Sequence, residues 1–239
     1  MEKLIVIEGL DGSGKATQTK LLYEKLKSIK LGKTESEMCD KMKNAIGKIV
    51  RRVSFPDYTS EASALVKMYL DGQFGTKPED VNAYAASAFY AVDRFASFKK
   101  DWKEAWKDGT VVADRYTTSN AIHQCCKLDK EKWNEYLEWL FEFEYRKLGI
   151  PEPSVVIYLR VDPKVSQKLM TKRYKGDEKK KDIHERNVEY LQKSREAAEY
   201  CCEKLGWKIV QCDKNGCMRD IEDIHEEIMD IVTKIIKNE

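Results

Sequence analysis

The first apolar run of the chain is short and leads directly into glycines. Lys3 to Glu8 is rich in Ile and Val, and the glycines are followed by a helical pattern of apolar positions from Lys15 to about Lys30. This pattern predicts a strand, a loop and a helix.

The next segment combines a helix start signal with a second apolar run. Thr34 and Glu37 have the spacing of a capping box, and apolar residues follow at intervals of four as far as Ile46. A short helix that ends near Gly47 is therefore predicted, followed by a strand from Ile49 to Ser54.

Helix and strand patterns continue to alternate towards the C-terminus. In order, they predict helices at about Ser60–Leu70 and Pro78–Lys107, a strand at Thr110–Ala113, helical stretches before and through Glu131–Leu148, a turn at Gly149–Pro153, a strand at Ser154–Leu159, a helix from Asp162, a long helix to Leu205, a strand at Lys208–Gln211 and a closing helix. Parallel strands need crossover helices, so this alternation predicts an α/β fold whose parallel sheet is covered on both faces. No internal repeat is found, and residues 1–239 are expected to form one domain.

Composition argues against several classes of function. The chain has 239 residues, 42% of them hydrophobic, and its 43 basic and 41 acidic side chains give a formal charge of +2. So small a net charge provides no long-range field for nucleic acid. No apolar run approaches the roughly 18 residues of a membrane span, and the N-terminus shows neither a basic leader nor a small-residue cleavage site. We therefore expect a cytoplasmic protein with no nucleic-acid or membrane partner.

The cysteines form an odd set with two adjacent pairs and no CxxC spacing. They are Cys39, Cys125, Cys126, Cys201, Cys202, Cys212 and Cys217. This pattern fits neither a disulfide framework nor a zinc site, so we interpret the cysteines as reduced, mostly structural thiols.

A glycine-rich loop follows the first predicted strand. Residues Gly9 to Lys15 read GLDGSGK, which matches the GxxxxGK part of the P-loop between a strand and a helix. Backbone N–H groups and the helix N-terminus bind phosphate in such a loop, and the lysine adds a full positive charge. The predicted ATP-binding residues are Gly9, Gly12, Ser13, Gly14, Lys15, Ala16 and Thr17.

One position departs from the P-loop pattern. The residue after the lysine is normally Ser or Thr, whose hydroxyl ligates Mg²⁺, whereas this chain has Ala16. Thr17 is adjacent but faces another side of the helix. Either water replaces the hydroxyl ligand or carboxylates hold the ion.

A second candidate carboxylate lies at the end of another strand. Asp114 and Arg115 follow the apolar run Thr110 to Ala113, where a Mg²⁺-linked acid would face the phosphates. An exposed ion pair that closes the strand is the alternative interpretation.

Five short motifs together resemble the thymidylate kinases. They are EGLDGSGK at Glu8–Lys15, SFPDY at Ser54–Tyr58, YAVDR at Tyr90–Arg94, ADRYTTSN at Ala113–Asn120 and LGIPEP at Leu148–Pro153. The resemblance covers nearly the whole chain, in order and in spacing. It implies a P-loop NTPase three-layer sandwich with a small mobile lid, and transfer of the γ-phosphoryl group of ATP to dTMP, giving dTDP and ADP. Mg²⁺ as cofactor and a homodimer packed through helices are also implied.

The resemblance assigns roles near the reacting phosphates. Asp11 would lie between the two substrates, Arg115 would contact the acceptor phosphate, and Asp114 would lie on the metal side. Phe55 and Pro56 would shape the acceptor pocket. The resemblance thus makes Asp11, Lys15 and Arg115 the predicted catalytic residues of the phosphate region.

The resemblance also implies how the base is read. Tyr90 would stack on thymine, Arg94 would bond the base carbonyl, and Asn120 would read the N3 edge. An aromatic face holds any flat base, whereas Arg donates to O4 and an amide matches the N3 hydrogen. Tyr58 and Ser119, from the same motifs, complete the predicted acceptor pocket.

His123 stands where relatives often have Tyr or Gln near the 2′ position of the sugar. A tight fit there would exclude ribonucleotides, although a surface histidine is an equally good interpretation. Residues 30–47 look like an insertion relative to the family, and the sequence suggests no function for them.

A basic segment at about 172–185 resembles the lid of the family. Members that lack an arginine in the phosphate loop, where this chain has Gly12, take transition-state cations from the lid. Arg173, with Arg186 as a second candidate, is therefore the predicted lid cation, because Arg contacts phosphate bidentately. Glu185 ends a DxxE sequence like that of the family and is a predicted metal ligand together with Asp11 and Asp114.

Two other functions stay open on the sequence alone. A kinase for another nucleotide or for a deoxynucleoside would share the P-loop and the Asp-Arg element but read a different acceptor. A nucleotide-binding regulator without catalysis is favoured only by Ala16, and the presence of Lys15, Asp114 and Arg115 argues against it.

Overall fold

The computed structural model of the protein describes residues 3–32, 37–174 and 188–237, with the side chains of those ranges except for 37–41, 170–174 and 188. Its strands are β1 Lys3–Gly9, β2 Ile49–Ser54, β3 Gly109–Asp114, β4 Val155–Arg160, β5 Lys208–Gln211, β6 Asp213–Lys214 and β7 Cys217–Met218. Its α-helices are α1 Lys15–Lys30, α2 Glu37–Ile46, α3 Ala64–Leu70, α4 Ala83–Ser97, α5 Lys103–Asp108, α6 Thr117–His123, α7 Trp133–Phe141, α8 Pro163–Tyr174, α9 Val188–Leu205 and α10 Ile221–Lys237. The bounds agree closely with the predicted elements over most of this part of the chain.

The central sheet is parallel, with the strand order β2-β3-β1-β4-β5. In this sheet Ile7 lies opposite Asp114, and Gly9 lies opposite Leu159. Every residue of β1 is buried, which is why the first apolar run is continuous rather than alternating. The chain passes from β1 to the edge strand β2, returns to β3 beside β1, and then crosses to β4 on the other side of β1. Ligands of open parallel sheets bind where the strand order reverses in this way.

Neighbouring residues of β1 are buried in opposite layers. Leu4 and Val6 pack with side chains from α4 to α7 and α9, whereas Ile5 and Ile7 pack with side chains from α1, α2 and α10. Side chains alternate along a strand, so a strand that is covered on both faces contributes to two cores. The α/β three-layer sandwich expected from the sequence is confirmed.

The segment predicted as one helix from Pro78 to Lys107 is divided. Asn82 caps α4 by accepting a hydrogen bond from the Ala85 N–H at 2.9 Å, so the helix begins after an extended Val81. A π-helical turn at Phe98–Trp102 then separates α4 from α5. Local side-chain capping and a π turn, neither of which alters the apolar spacing strongly, account for the difference.

The hairpin formed by β6 and β7 was not predicted. Asn215 and Gly216 form its turn with φ values of 54° and 76°, which only Asn and Gly adopt readily. The Asn-Gly pair was the available signal, but strands of two residues are too short to show alternation.

The described cysteine side chains agree with their interpretation as structural thiols. Cys125, Cys126, Cys201, Cys202 and Cys212 are buried free thiols, whereas Cys217 is an exposed one. Burial raises the pKa of the Cys126 thiol to about 11, so it stays protonated and unreactive near neutral pH. The side chain of Cys39 lies outside the described part.

None of the helices within the described ranges combines the length and the apolar character that a membrane span requires.

The helix in the 30–47 insertion packs into the second core. Met42 and Ile46 of α2 are buried beside α1 and α10. Lys3, which is only 8% exposed, connects the ends of two helices, because its Nζ donates to the carbonyl oxygens of Ile236 at 2.6 Å and of Ala45 at 3.2 Å. The insertion is therefore tied to the first strand and to the last helix.

Replacing Lys3 with Met is expected to lower the free energy of unfolding by about 1.5–3 kcal/mol, because a charged donor to two helix-terminal carbonyls is lost. Urea unfolding followed by circular dichroism measures the change. The control is Lys48→Met, since the Lys48 side chain is 81% exposed and its ion pair with Asp108 lies at the surface. An effect of Lys3→Met no larger than that of the control would contradict the interpretation.

Candidate active site

A cleft of about 660 Å³ opens at the carboxyl ends of β1, β2 and β3. The phosphate loop forms one wall, and residues from α4 and α6 form the other. Its lining includes most of the predicted site residues, namely Asp11, Gly12, Ser13, Gly14, Lys15, Ala16, Thr17, Phe55, Pro56, Tyr58, Tyr90, Arg94, Asp114, Arg115, Ser119, Asn120 and His123. The structure therefore brings both predicted binding regions into one cavity.

Gly9 is a predicted ATP-binding residue that does not line the cleft. Its φ is +156°, and a Cβ added there would lie 2.6 Å from Ser13 Oγ and 2.9 Å from the carbonyl oxygen of Leu159. Its role in the loop is therefore steric, because only glycine allows this close approach between β1, β4 and the loop.

The predicted lid residues are placed only in part. Arg173 belongs to α8, but its side chain lies outside the described part, and Glu185 and Arg186 lie outside the described residues. Leu169, in the same helix, lines the cleft, so α8 borders the site that the lid would cover.

Lys15 is the first residue of α1 and is only 8% exposed. Its Nζ donates to the carbonyl oxygen of Leu10 at 2.9 Å and lies 3.8 Å from Asp11 Oδ1. Burial, and then the positive charge of Arg115, lower the pKa of Lys15 to about 8, although Asp11 and Glu8 act in the opposite direction. The lysine is thus held inside the loop, and it loses its charge at a lower pH than an exposed lysine does.

The affinity for ATP is expected to fall as the pH rises above about 8. Phosphate binding favours the charged form of Lys15, which predominates below its pKa and is lost above it. The Kd of ATP should therefore rise by up to about tenfold per pH unit beyond that point. Calorimetry from pH 7 to 9.5 measures the change, with Lys15→Arg as a control that keeps its charge. A constant Kd in the wild-type protein would contradict the prediction.

Arg115 lies between the two walls of the cleft. It adopts a positive φ of 64°, and its N–H donates to the carbonyl oxygen of Ile7 at 3.1 Å. Its Nη2 donates to Asp11 Oδ1, and its Nη1 lies 3.7 Å from Glu8 Oε1. Burial acts to lower the pKa of Arg115, but these carboxylates outweigh it and raise the pKa, so the guanidinium stays charged. The contact between Arg115 and Asp11 thereby joins the phosphate loop to the end of β3.

Glu8 is a buried acid to which the sequence motifs assign no role. It is buried, its Oε1 accepts the Gly9 N–H at 3.0 Å, and its Oε2 accepts the hydroxyls of Thr118 at 2.9 Å and Ser119 at 2.7 Å. Glu8 therefore ties the start of the phosphate loop to α6. An acid inside an apolar strand was the available signal, because a buried charge needs partners.

Phe55 lines the cleft but is almost wholly buried behind its surface. It is 4% exposed, and its ring centroid lies 5.9 Å from that of Tyr116 and 6.5 Å from that of Trp102. Pro56 extends the wall into the cleft. Tyr90 packs edge-to-face against Tyr69 at 6.4 Å, which holds its ring at the cleft.

His123 is an internal residue rather than a surface histidine. Its ring is stacked on Tyr190 at 6.2 Å, and its Nε2 lies 3.3 Å from Arg115 Nη1. Burial and the charge of Arg115 lower the pKa of His123 to about 3, so the imidazole is neutral near pH 7. A neutral Nε2 accepts the hydrogen bond from Arg115 and helps to orient the guanidinium.

Asp114 is a suitable metal ligand by its position and its chemistry. It lies at the end of β3 in the cleft, and no described residue forms a hydrogen bond or an ion pair with its carboxylate. Its charge raises the pKa of both Lys15 and Arg115, so it lies near the phosphate region. No cluster of three or more His, Cys, Asp or Glu side chains within the described ranges has metal-binding geometry. Mg²⁺ often uses only one or two carboxylates with water and substrate phosphates, so this donor set fits Mg²⁺.

The sequence profile of the thymidylate kinase family matches residues 7–228. The thymidylate kinase of Mycobacterium tuberculosis is 28% identical over 215 residues, a match that covers 88% of this chain and 92% of the relative. The thymidylate kinase of Schizosaccharomyces pombe is 27% identical over 239 residues, covering 98% of this chain and 92% of the relative. The structure of thymidylate kinase from Candida albicans shares the fold, with a TM-score of 0.66 at 18% identity over 99% of this chain and 93% of that chain. Because the family profile spans most of its length and the cleft contains the family motifs, this chain belongs to the thymidylate kinase family.

Proposed function

We propose that this protein transfers the γ-phosphoryl group of ATP to dTMP in the cleft beside the phosphate loop. The observation that carries the proposal is the position of Arg115. Its guanidinium contacts Asp11 of the phosphate loop and, on the acceptor wall, lies 3.3 Å from His123 Nε2 and 3.5 Å from Ser119 Oγ. A cation in that position reaches two phosphoryl groups that must approach each other.

The donor side of the cleft supplies the groups that hold ATP. The loop from Gly12 to Lys15 presents backbone N–H groups at the N-terminus of α1, where partial positive charge favours phosphate. Lys15 adds a charge that gains strength because its surroundings exclude water.

The acceptor side supplies the groups that read a nucleotide base. Tyr90 provides an aromatic surface, Arg94 provides a donor, and Asn120 provides an amide, all at the same wall. His123 lies beside the phosphate-binding Arg115, where it would restrict the space for a 2′-hydroxyl.

The chemical step is an in-line displacement. An oxygen of the dTMP phosphate attacks the γ-phosphorus of ATP, and the bond from the γ-phosphorus to the β–γ bridging oxygen breaks, so that dTDP and ADP form. The acceptor phosphate is already largely ionised near neutral pH, so no strong general base is needed. Lys15 and Arg115 neutralise charge on the transferring group and hold the reactants in line.

Mg²⁺ belongs to this proposal as the cofactor. Asp114 would hold it, with Asp11 and Glu185 as the other candidate ligands. When bound, Mg²⁺ neutralises phosphate charge and orients the oxygens of ATP. Because Ala16 offers no hydroxyl, a water molecule or a carboxylate takes the place of the usual Ser or Thr ligand.

Three further parts of the proposal concern residues and surfaces beyond the cleft. Arg173 is the candidate lid cation that joins Lys15 and Arg115 in the closed state. We also propose that the protein acts as a homodimer and in the cytoplasm. Sedimentation of the purified protein would test the dimer directly.

The experiment that tests the proposed function is ADP formation from ATP and Mg²⁺ with separate acceptors: dTMP, dUMP, dCMP, dGMP, UMP and thymidine. A strong preference for dTMP is expected. Preference for another nucleotide or for thymidine would replace dTMP as the acceptor, and ATP binding without turnover of any acceptor would identify a regulator.

A further inference from the structure

Glu144 is a fully buried acid that no motif in the sequence identifies. It lies in the π-helical turn Glu142–Lys147 that follows α7, and its side chain is 0% exposed. Residues on either side of it in this turn, such as Glu142 and Arg146, are exposed. A π turn inserts an additional residue into a helix and is frequent at functional sites.

The carboxylate of Glu144 binds the guanidinium of Arg94 in a bidentate pair. Its oxygens accept from Arg94 Nε at 2.7 Å and from Nη2 at 2.6 Å, and Oε2 also accepts the hydroxyl of Thr117 at 2.9 Å. Arg94 is 1% exposed and lines the cleft. Its Nη1 has only a long contact of 3.4 Å to the carbonyl oxygen of Tyr116. Glu144 thus occupies one edge of the guanidinium and leaves Nη1 as the donor for the cleft.

The same carboxylate sets the orientation of the Asn120 amide. Asn120 Nδ2 points to the carbonyl oxygen of Ser87 at 3.3 Å and to Glu144 Oε1 at 3.5 Å. Both partners are acceptors only, so a flipped amide would place oxygen against oxygen. The amide therefore keeps its nitrogen towards the protein and its Oδ1 available as an acceptor, for which no described residue provides a donor.

A buried ion pair of this kind needs an explanation beyond stability. Burying two charges costs about as much as their attraction returns, and apolar replacements are often as stable. Glu144 instead contacts both Arg94 and Asn120, the two side chains proposed to form hydrogen bonds with the base, which is consistent with a role in specificity.

We propose that Glu144 is a positioning residue that sets the hydrogen-bond polarity of the base site, a proposal that rests on the proposed function. Through it, Arg94 presents a donor and Asn120 presents an acceptor. That pair matches a pyrimidine with a C4 carbonyl and an N3–H, as in thymine and uracil. It does not match cytosine, because the amino group at C4 would face the Arg94 donor and the N3 acceptor would face the Asn120 acceptor.

The test is the variant Glu144→Gln, assayed with dTMP and dCMP. Glutamine places one N–H₂ group where a carboxylate oxygen accepted, so either Arg94 loses a partner or Asn120 turns its oxygen inwards. The ratio of kcat/KM for dTMP over dCMP is expected to fall by at least about tenfold, chiefly through the KM of dTMP, while the KM of ATP changes by less than about twofold. The matched control is Glu142→Gln in the same turn, whose carboxylate is exposed and lies 3.4 Å from Lys147 at the surface.

A second variant keeps the test decisive if Glu144→Gln does not fold. Thr117→Val removes one hydrogen bond from Glu144 without a change of charge, and it should shift the same ratio in the same direction by a smaller factor. An unchanged ratio in the folded variants, with a wild-type protein that prefers dTMP, would overturn the role of Glu144. A wild-type protein with no preference for dTMP over dCMP would instead overturn the proposed function.

Discussion

Replacing Lys15 with methionine is expected to lower kcat for dTMP phosphorylation by about 10²- to 10³-fold, which corresponds to roughly 3–4 kcal/mol of transition-state stabilisation. The Lys15 ammonium lies inside the phosphate loop, 3.8 Å from Asp11 Oδ1, and is 8% exposed. Solvent cannot replace a cation in such a position, so the charge that develops on the transferring phosphoryl group would lack its nearest partner. Methionine keeps the length and the apolar stem of the side chain, so the loop is expected to keep its shape.

The assay is ADP release at saturating ATP and dTMP, with the Kd of ATP measured separately. Lys20→Met is the matched control, because Lys20 lies exposed on the same helix and should leave kcat unchanged. A Lys15→Met variant that keeps kcat within about tenfold of the wild-type value would show that the lysine binds the nucleotide without assisting transfer.

The phosphate side of the site could be predicted from sequence because its signals are local. The loop from Gly9 to Lys15 follows a buried strand and precedes a helix, so one short stretch of sequence contains the whole phosphate-binding loop. The approach of Arg115 to Asp11 is of another kind, since 104 positions separate them. It follows from the parallel pairing of β1 and β3, which places Ile7 opposite Asp114 and brings the two strand ends together.

The acceptor side was predictable only in part. Spacing alone does not distinguish Tyr90 and Arg94 from helical core residues, so their assignment depended on the set of family motifs. Glu144 escaped detection altogether, because an acid in an amphipathic helix is usually solvated and nothing local reveals a π turn. The role proposed for it depends on partners on α4 and α6, which only the packed structure brings together.

The breaks in the predicted Pro78–Lys107 helix also could not be located from the sequence. The apolar spacing continues across Val81 and across Phe98–Trp102, so a periodic pattern cannot locate the breaks. Asn82 is a suitable N-cap by residue type, but so are the many other Ser, Thr, Asp and Asn residues of the chain, so residue type alone does not identify the cap. Start signals that depend on one side chain are therefore weaker than periodicity extending over several turns.

Replacing Arg115 with methionine is expected to have the largest effect of any change in the cleft, lowering kcat/KM for dTMP by about 10³-fold or more. The substitution removes the cation for the acceptor phosphate and also leaves Asp11 and Glu8 without their shared partner. Those carboxylates would then repel the dianionic acceptor. Arg115→Lys should lose about tenfold to 10²-fold, because it keeps the charge but not the planar fork.

Arg115→Met should affect the two substrates differently: it should weaken the binding of dTMP but extend the binding of ATP to higher pH. Arg115 is one of the groups that lower the pKa of Lys15, so its removal should raise that pKa and move the loss of ATP affinity to higher pH. Arg51→Met is the control, because Arg51 also pairs with a carboxylate, but at the surface, where its Nη2 lies 2.7 Å from both oxygens of Asp101. If Arg115→Met weakened ATP and dTMP equally and left the pH profile of ATP binding unchanged, Arg115 would not lie between the two phosphates, and the arrangement of donor and acceptor proposed for this cleft would be wrong.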